Sequence, residues 1–116
     1  MLENVNDLIE EKIDEVLRWF LRDFNEQKLE ANGWPKTVSA YKVSKAAVNA
    51  YTKLIAKRIP QHHINSIHPG RVKTEMTCDI VKLSPHEGAR GPVMFSLLPE
   101  TGPTGLFSDE IEVSSF

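Results

Sequence analysis

One stretch constrains the fold more than any other, the run AYKVSKAAVNAY at residues 40–51. It is rich in good helix formers and Pro60 follows it, which predicts a helix that ends before that proline. Side chains four residues apart lie on one face of a helix, so Tyr41 and Lys45 are expected to point the same way. The opposite face offers a strip of small and aliphatic side chains: Val43, Ala46, Ala47, Ala50 and Leu54. The pattern indicates a buried helix that carries a reactive polar pair.

The N-terminal segment predicts a second, amphipathic helix between Asp7 and Phe24. Its apolar residues recur every three or four positions, with charged residues between them. The stripe consists of Ile9, Ile13, Val16, Leu17, Phe20, Leu21 and Phe24. Core packing is the expected use of this stripe, and a partner-binding face is the alternative. Acidic residues throughout the polar side argue against a membrane-surface helix.

The segment 27–39 has no periodicity, and its sequence NGWP at residues 32–35 marks a turn. We expect this segment to connect the two helices, with Trp34 either anchoring the loop or covering a pocket. Ser39 is a suitable N-cap for the central helix. Residues 1–39 are therefore predicted to form one helical segment and its connecting loop.

The second half of the chain predicts a strand, a helix and a further strand. The first strand is expected at 64–68, where Pro69 and Gly70 end it. A capping-box sequence at Ser84 starts a helix that runs to about Leu98, and an extended segment begins at Leu106. Such a crossover is right-handed and joins parallel strands, which predicts an α/β fold. Because two strands make a poor parallel sheet, we expect the chain to be the second half of a larger α/β domain.

Composition excludes several classes of protein. The chain is 41% apolar and 26% charged with a net charge of −2, and it has no basic stripe, which argues against a nucleic-acid partner. No apolar run is long enough to span a membrane. The single cysteine, Cys78, cannot form an internal disulfide and suits a reducing, cytoplasmic setting. The four histidines lack the spacing of a metal site, so no metal is expected.

Several short motifs occur together along the chain. Tyr41-x-x-x-Lys45 is followed by Asn49, and the predicted strand leads into Asn65-x-x-x-Pro69-Gly70-x-Val72-x-Thr74. In this combination the chain resembles the short-chain dehydrogenase/reductase family, and within it the plant carbonyl-reductase-like branch. That branch carries an extra helical segment ahead of the tyrosine, as residues 7–39 do here, and the ending at 112–116 is also similar. The resemblance implies a Rossmann-type doubly wound parallel sheet, with residues 40–116 as its C-terminal half and an inserted amphipathic helix in residues 1–39.

The resemblance also implies a function, namely hydride transfer between NADP(H), favoured over NAD(H), and a small carbonyl or alcohol substrate. Tyr41 is then the acid/base, since the developing alkoxide needs a proton donor within hydrogen-bond reach. Lys45 favours the phenolate of that tyrosine and binds the nicotinamide ribose. The residues implied at the nicotinamide end are Pro69, Gly70, Val72 and Thr74. The inserted helix covers the face that other family members use for subunit contacts, which implies a monomer.

A glycine-rich turn after a first strand, which anchors the pyrophosphate in dinucleotide folds, is missing from the sequence. Its six glycines are scattered, and neither the catalytic serine nor the helix asparagine of the family has a counterpart. The alternative interpretation is therefore a truncated, catalytically inactive fragment, or an interaction module that uses the Ile9–Phe24 stripe. With few sheet neighbours, the isolated chain is expected to be marginally stable.

Overall fold

A computed structural model describes residues 9–77, 81, 83–109 and 112–114 of the chain. Within these residues the helices are α1 (Glu10–Asn25), α2 (Ser39–Arg58) and α3 (Pro85–Ser96). The strands are β1 (Ser66–His68), β2 (Phe107–Asp109) and β3 (Glu112–Ser114), and a 3₁₀ turn spans Glu75–Thr77. This order confirms the predicted α/β class. The helix start predicted at Asp7 lies outside the described residues, and the described part of α1 begins at Glu10 with Ile9 as its N-cap.

Helix α1 packs against α2 through the two predicted strips. The core cluster consists of Ile13, Ala47, Ala50 and Leu54, with Leu17 packed against it. The two alanines let the helices approach closely, and Ala50 is fully buried. An ion pair of 2.8 Å between Glu10 and Arg58 places the start of α1 beside the end of α2. Most of the α1 stripe is thus core, as predicted, while Ile9, Leu21 and Phe24 remain about half exposed.

The sheet differs from the predicted one in two respects. Strands β1 and β2 are parallel, as predicted, with Ser66 opposite Phe107. However, β3 pairs with β2 in the antiparallel direction, so the described sheet is mixed. The first strand also begins two residues later than predicted. The Asn65 side chain there donates to the Pro103 carbonyl at 3.0 Å and accepts from the Leu106 N–H at 3.0 Å, which ties the approach to β1 to the turn before β2.

Helix α3 begins with the predicted capping box. The Ser84 hydroxyl accepts from the Glu87 N–H at 3.2 Å, and the Glu87 carboxylate accepts from the Ser84 N–H at 2.8 Å. Donation from the Ser84 N–H holds the pKa of Glu87 below its usual range. The prediction of this helix start is confirmed, and its end at Ser96 lies two residues before the predicted one.

The connecting loop is fastened to α1 by a buried carboxylate. Asp23 is 1% exposed, and its Oδ2 accepts from both the Trp34 indole N–H and the Asn32 amide, each at 2.8 Å. The Trp34 ring packs edge-on against Trp19 and Phe20, with centroids 5.2 Å away in both pairs. Anchoring of the loop by Trp34, one of the two predicted roles, is thereby confirmed.

This attachment is expected to weaken in acid. Hydrogen bonding from Trp34 is the main reason why the pKa of Asp23 lies below its ordinary value of 3.8, and burial acts in the opposite direction. A lowered folded-state pKa stabilises the fold above the ordinary value, and this stability is lost as the pH falls through the folded value. The melting temperature should therefore fall below about pH 4. In Asp23→Asn, which keeps a hydrogen-bond acceptor, the melting temperature should depend less on pH. In Asp23→Ala, which removes the acceptor, the melting temperature at neutral pH should be several degrees lower than in the wild type. Thermal melts followed by circular dichroism test this, and equal pH dependence in wild type and Asp23→Asn would contradict it.

Candidate functional site

Tyr41 and Lys45 lie on the first two turns of α2, on the side away from α1. The Lys45 Nζ is 5.8 Å from the centroid of the Tyr41 ring, so the two side chains meet as their spacing predicts. Tyr41 is nonetheless 60% exposed. The prediction of a buried helix therefore holds for one face at this end of α2: α1 covers the Ala47 and Ala50 side, whereas Tyr41 and Val48 on the other side are exposed.

The backbone just ahead of the pair is strained. The N-cap of α2 is Val38, with a φ of 45° and no side-chain capping bond, where the sequence predicted Ser39. A left-handed conformation is costly for a β-branched residue. The chain therefore makes a sharp, unfavourable turn into α2 three residues before Tyr41. Residues with such strained backbone angles are concentrated at functional sites.

The segment predicted to line the nicotinamide end follows β1 directly. Gly70 has a φ of 79°, a conformation that favours glycine. Its N–H donates to the Nδ1 of His68 at 3.2 Å, and the same Nδ1 lies 3.0 Å from a carboxylate oxygen of Asp109 on β2. Further along, the Thr74 N–H donates to the Thr77 hydroxyl at 2.8 Å. Internal hydrogen bonds thus fix the course of this segment.

Val72 is held in place by α3. It forms a parallel bridge with Leu83, and its side chain lies against the buried Gly88 so closely that a Cβ on that glycine would overlap it. Gly88 is a positioning residue that the sequence analysis missed. A glycine inside a capped helical segment was the available signal, because glycine weakens a helix interior and often marks a place where another element comes close.

Replacing Gly88 by alanine is expected to displace Val72 and destabilise the fold by about 1–3 kcal/mol, the usual range for overpacking. The reason is the overlap with the Val72 side chain. Chemical denaturation of Gly88→Ala, Val72→Ala and the double variant measures the coupling between the two sites. The double variant should recover the loss caused by Gly88→Ala, because it removes the overlapping methyl groups. Additive effects would show that the two residues are independent.

The structure thus gives two groups of predicted residues. Tyr41 and Lys45 form one on α2, and the segment 69–74 forms the other at the end of β1. The hydrogen bonds given above for Gly70 and Thr74 run to His68 and Thr77 and do not reach α2. In the described part of the chain, no three histidine, cysteine, aspartate or glutamate side chains converge as metal ligands, and no described helix is long and apolar enough to cross a bilayer.

The described chain thus has a parallel strand pair joined through a helix, preceded by a helix that presents a tyrosine and a lysine one turn apart. The sequence model of the short chain dehydrogenase family matches residues 31–83, which contain Tyr41, Lys45 and the segment 69–74. The chain belongs to the short-chain dehydrogenase/reductase family.

Its relatives include plant enzymes. Salutaridine reductase of Papaver bracteatum is 47% identical over 109 residues, covering 94% of this chain and 35% of the relative. A (+)-neomenthol dehydrogenase of Capsicum annuum is 44% identical over 116 residues, covering 100% of this chain and 37% of the relative. The solved structure of salutaridine reductase from Papaver somniferum matches with a TM-score of 0.85 and 43% identity, over 94% of this chain and 37% of that one. The chain spans little more than a third of the length of these relatives.

Proposed function

We propose that this chain supplies the proton-transfer residues of a nicotinamide-dependent oxidoreductase that acts on a small carbonyl or alcohol. The observation that carries the proposal is the Tyr41–Lys45 pair, which meets on the open side of a helix fixed from behind by α1. The names of the relatives, a reductase and a dehydrogenase, support a carbonyl or alcohol substrate.

In this proposal Tyr41 is the general acid in reduction and the general base in oxidation. Its hydroxyl donates a proton to the alkoxide oxygen that forms from the carbonyl, and the phenolate takes the proton back in the reverse direction. The Lys45 ammonium stabilises the phenolate because opposite charges attract across a short distance. A nicotinamide cofactor, when bound, supplies or accepts the hydride.

The described donors suit such a cofactor. Lys45 makes no hydrogen bond or ion pair with another residue in the described part of the chain, so its ammonium is available to a ribose hydroxyl. Gly70 lets the backbone approach a flat ring closely because it has no Cβ. We assign Pro69, Val72 and Thr74 to the same nicotinamide end, and NADP(H) in preference to NAD(H) on the family resemblance.

Two further parts of the proposal concern the setting of the protein. The α1 segment lies on the Ala47 and Ala50 face of α2, which supports a monomer because that face is no longer open to a second subunit. A cytoplasmic location is supported by the single cysteine.

A second candidate is that these 116 residues are inactive by themselves. The exposure of Tyr41 favours it, since proton transfer by a side chain is most effective where water is excluded. The interaction-module version of this candidate has less support, because Ile13, Val16 and Phe20 of the α1 stripe are buried within the chain. Titration with NADPH and NADH, followed by nicotinamide fluorescence, separates the two: micromolar binding by the 116-residue chain counts against the inactive fragment.

The chemistry itself is tested in a chimera in which this chain replaces the matching segment of Papaver somniferum salutaridine reductase. We expect Lys45→Met to weaken cofactor binding by roughly 10–100-fold, as for loss of a charged hydrogen bond, and to lower kcat as well. Lys42→Met is the matched control, because Lys42 is an exposed lysine of the same helix turn whose hydrogen bond is to Thr37. A folded chimera in which the two variants behave alike would contradict the proposal.

A further inference from the structure

One ring nitrogen at the end of β1 has two partners. The Nδ1 of His68 lies 3.2 Å from the backbone nitrogen of Gly70 and 3.0 Å from a carboxylate oxygen of Asp109. His68 and Asp109 lie opposite each other in the register of β1 and β2. Gly70 is the second residue after β1 and belongs to the segment 69–74. The His68 ring therefore connects the sheet to the start of that segment.

The two contacts require opposite states of the same nitrogen. The Gly70 N–H donates only to a lone pair, so it needs an Nδ1 that carries no proton. The Asp109 carboxylate only accepts, so it needs an Nδ1 that carries one. In neutral histidine one ring nitrogen is a donor and the other an acceptor, whereas in the charged form both are donors. The Nδ1 of His68 can therefore bind Gly70 or Asp109, but not both at once.

The protonation of His68 decides between these two partners. Asp109 faces it from β2, Glu112 lies opposite Asp109 in the register of β3, and Arg71 is the nearest basic residue in sequence. Among these residue types, histidine is the one that ordinarily gains or loses a proton between about pH 5 and 8. The His68 and Asp109 side chains are 49% and 62% exposed, so protons reach them from solvent. A change of pH in this range therefore changes the partner of the Nδ1.

We propose that His68 is a positioning residue, which holds the Gly70 N–H while its Nδ1 lacks a proton and binds Asp109 when that nitrogen gains one. Gly70 has a φ of 79°, and a glycine regains wide conformational freedom once its N–H is released. The segment 69–74 must then be ordered again when it binds a ligand, which lowers affinity. That this ligand is the nicotinamide end of a cofactor rests on the proposed function, whereas the exchange of partners does not.

Nuclear magnetic resonance of the 116-residue chain tests the exchange of partners without a cofactor. Between about pH 8 and about pH 5.5, the amide proton signal of Gly70 should move upfield as its hydrogen bond is lost, together with the ring signals of His68. In His68→Asn, whose side-chain oxygen accepts from the Gly70 N–H at every pH, the signal should stay constant. His62→Asn is the matched control, because it removes another exposed histidine and should leave the wild-type change in place. A Gly70 signal that stays constant while the His68 ring titrates, or that changes equally in His68→Asn, would overturn the inference.

Calorimetric titration of the salutaridine reductase chimera with NADP⁺ tests the effect on the cofactor. At about pH 5.5 the unmodified chimera should bind roughly three- to tenfold more weakly than His68→Asn, as for loss of one hydrogen bond, and at about pH 8 the two should bind alike. His68→Leu, which has no acceptor, should bind weakly at both pH values, and far-UV circular dichroism verifies that each variant is folded.

The two measurements separate the inference from the proposed function. A Gly70 signal that follows His68 while NADP⁺ affinity does not supports the exchange of partners and counts against placing the segment 69–74 at the nicotinamide end. Affinity that is lower in His68→Asn by the same factor at both pH values shows a merely structural role for the ring and overturns the inference. Tighter binding by the unmodified chimera in acid overturns it as well.

Discussion

Replacement of Tyr41 by phenylalanine in the salutaridine reductase chimera is expected to lower kcat by about 10²–10⁴-fold, the usual contribution of a positioned general acid. The change removes only the hydroxyl, so the ring that lies near Lys45 Nζ is retained. NADPH binding, followed by nicotinamide fluorescence, should therefore stay close to that of the unmodified chimera. Steady-state kinetics with a ketone substrate measure the loss of turnover.

The chain contains its own control for this experiment. Tyr51 is the second of its two tyrosines and lies on the same helix, partly exposed. Tyr51→Phe makes the same chemical change ten residues further along and should leave kcat unchanged. Turnover retained in Tyr41→Phe, or lost equally in both variants, would remove Tyr41 from the proposed role of acid/base.

Leu54→Ala is expected to destabilise the 116-residue chain by about 2–5 kcal/mol, the range for truncation of a buried leucine. Leu54 is 4% exposed and belongs to the cluster in which α1 packs on α2, together with Ile13 and Ala50. A chain of this size has little stability to lose, so the variant should unfold at a clearly lower urea concentration than the wild type. Urea unfolding followed by circular dichroism measures the change.

Leu21→Ala is the matched control for that variant. It makes the same substitution on a helix, at a position that is mostly exposed. Because alanine is at least as good a helix former as leucine, its effect should stay within about 0.5 kcal/mol. Similar losses for the two variants would show that α1 and α2 do not pack as described.

The features that could be predicted from the sequence depend on local spacing. Tyr41 and Lys45 meet because four residues make about one helical turn, and Ser84 with Glu87 forms a capping box because three residues bring the two groups together. The parallel pairing of β1 with β2 follows from the helix between them. In the first two cases neighbours in sequence determine the geometry, and in the third the connecting helix does.

The features that could not be predicted depend on residues that are distant in sequence. The exposure of Tyr41 reflects which elements pack on α2, and one helix face does not reveal what covers it. The overlap that Gly88 avoids involves a side chain sixteen positions earlier, Val72. In the sequence, Asp23 is one of several charged residues on the polar side of α1. Its burial depends on Trp34, which is eleven residues later and donates a hydrogen bond to it.

The attachment of the loop to Asp23 also determines which part of the chain tryptophan fluorescence monitors. Both tryptophans of the chain, Trp19 and Trp34, belong to the aromatic cluster beside α1. The aromatic residues of α2 are both tyrosines. Tryptophan emission excited at long wavelength therefore monitors the junction of α1 with its loop. The Tyr41 end of α2 contributes nothing to that emission. The protein thus holds an intrinsic fluorescent probe of α1 and its loop.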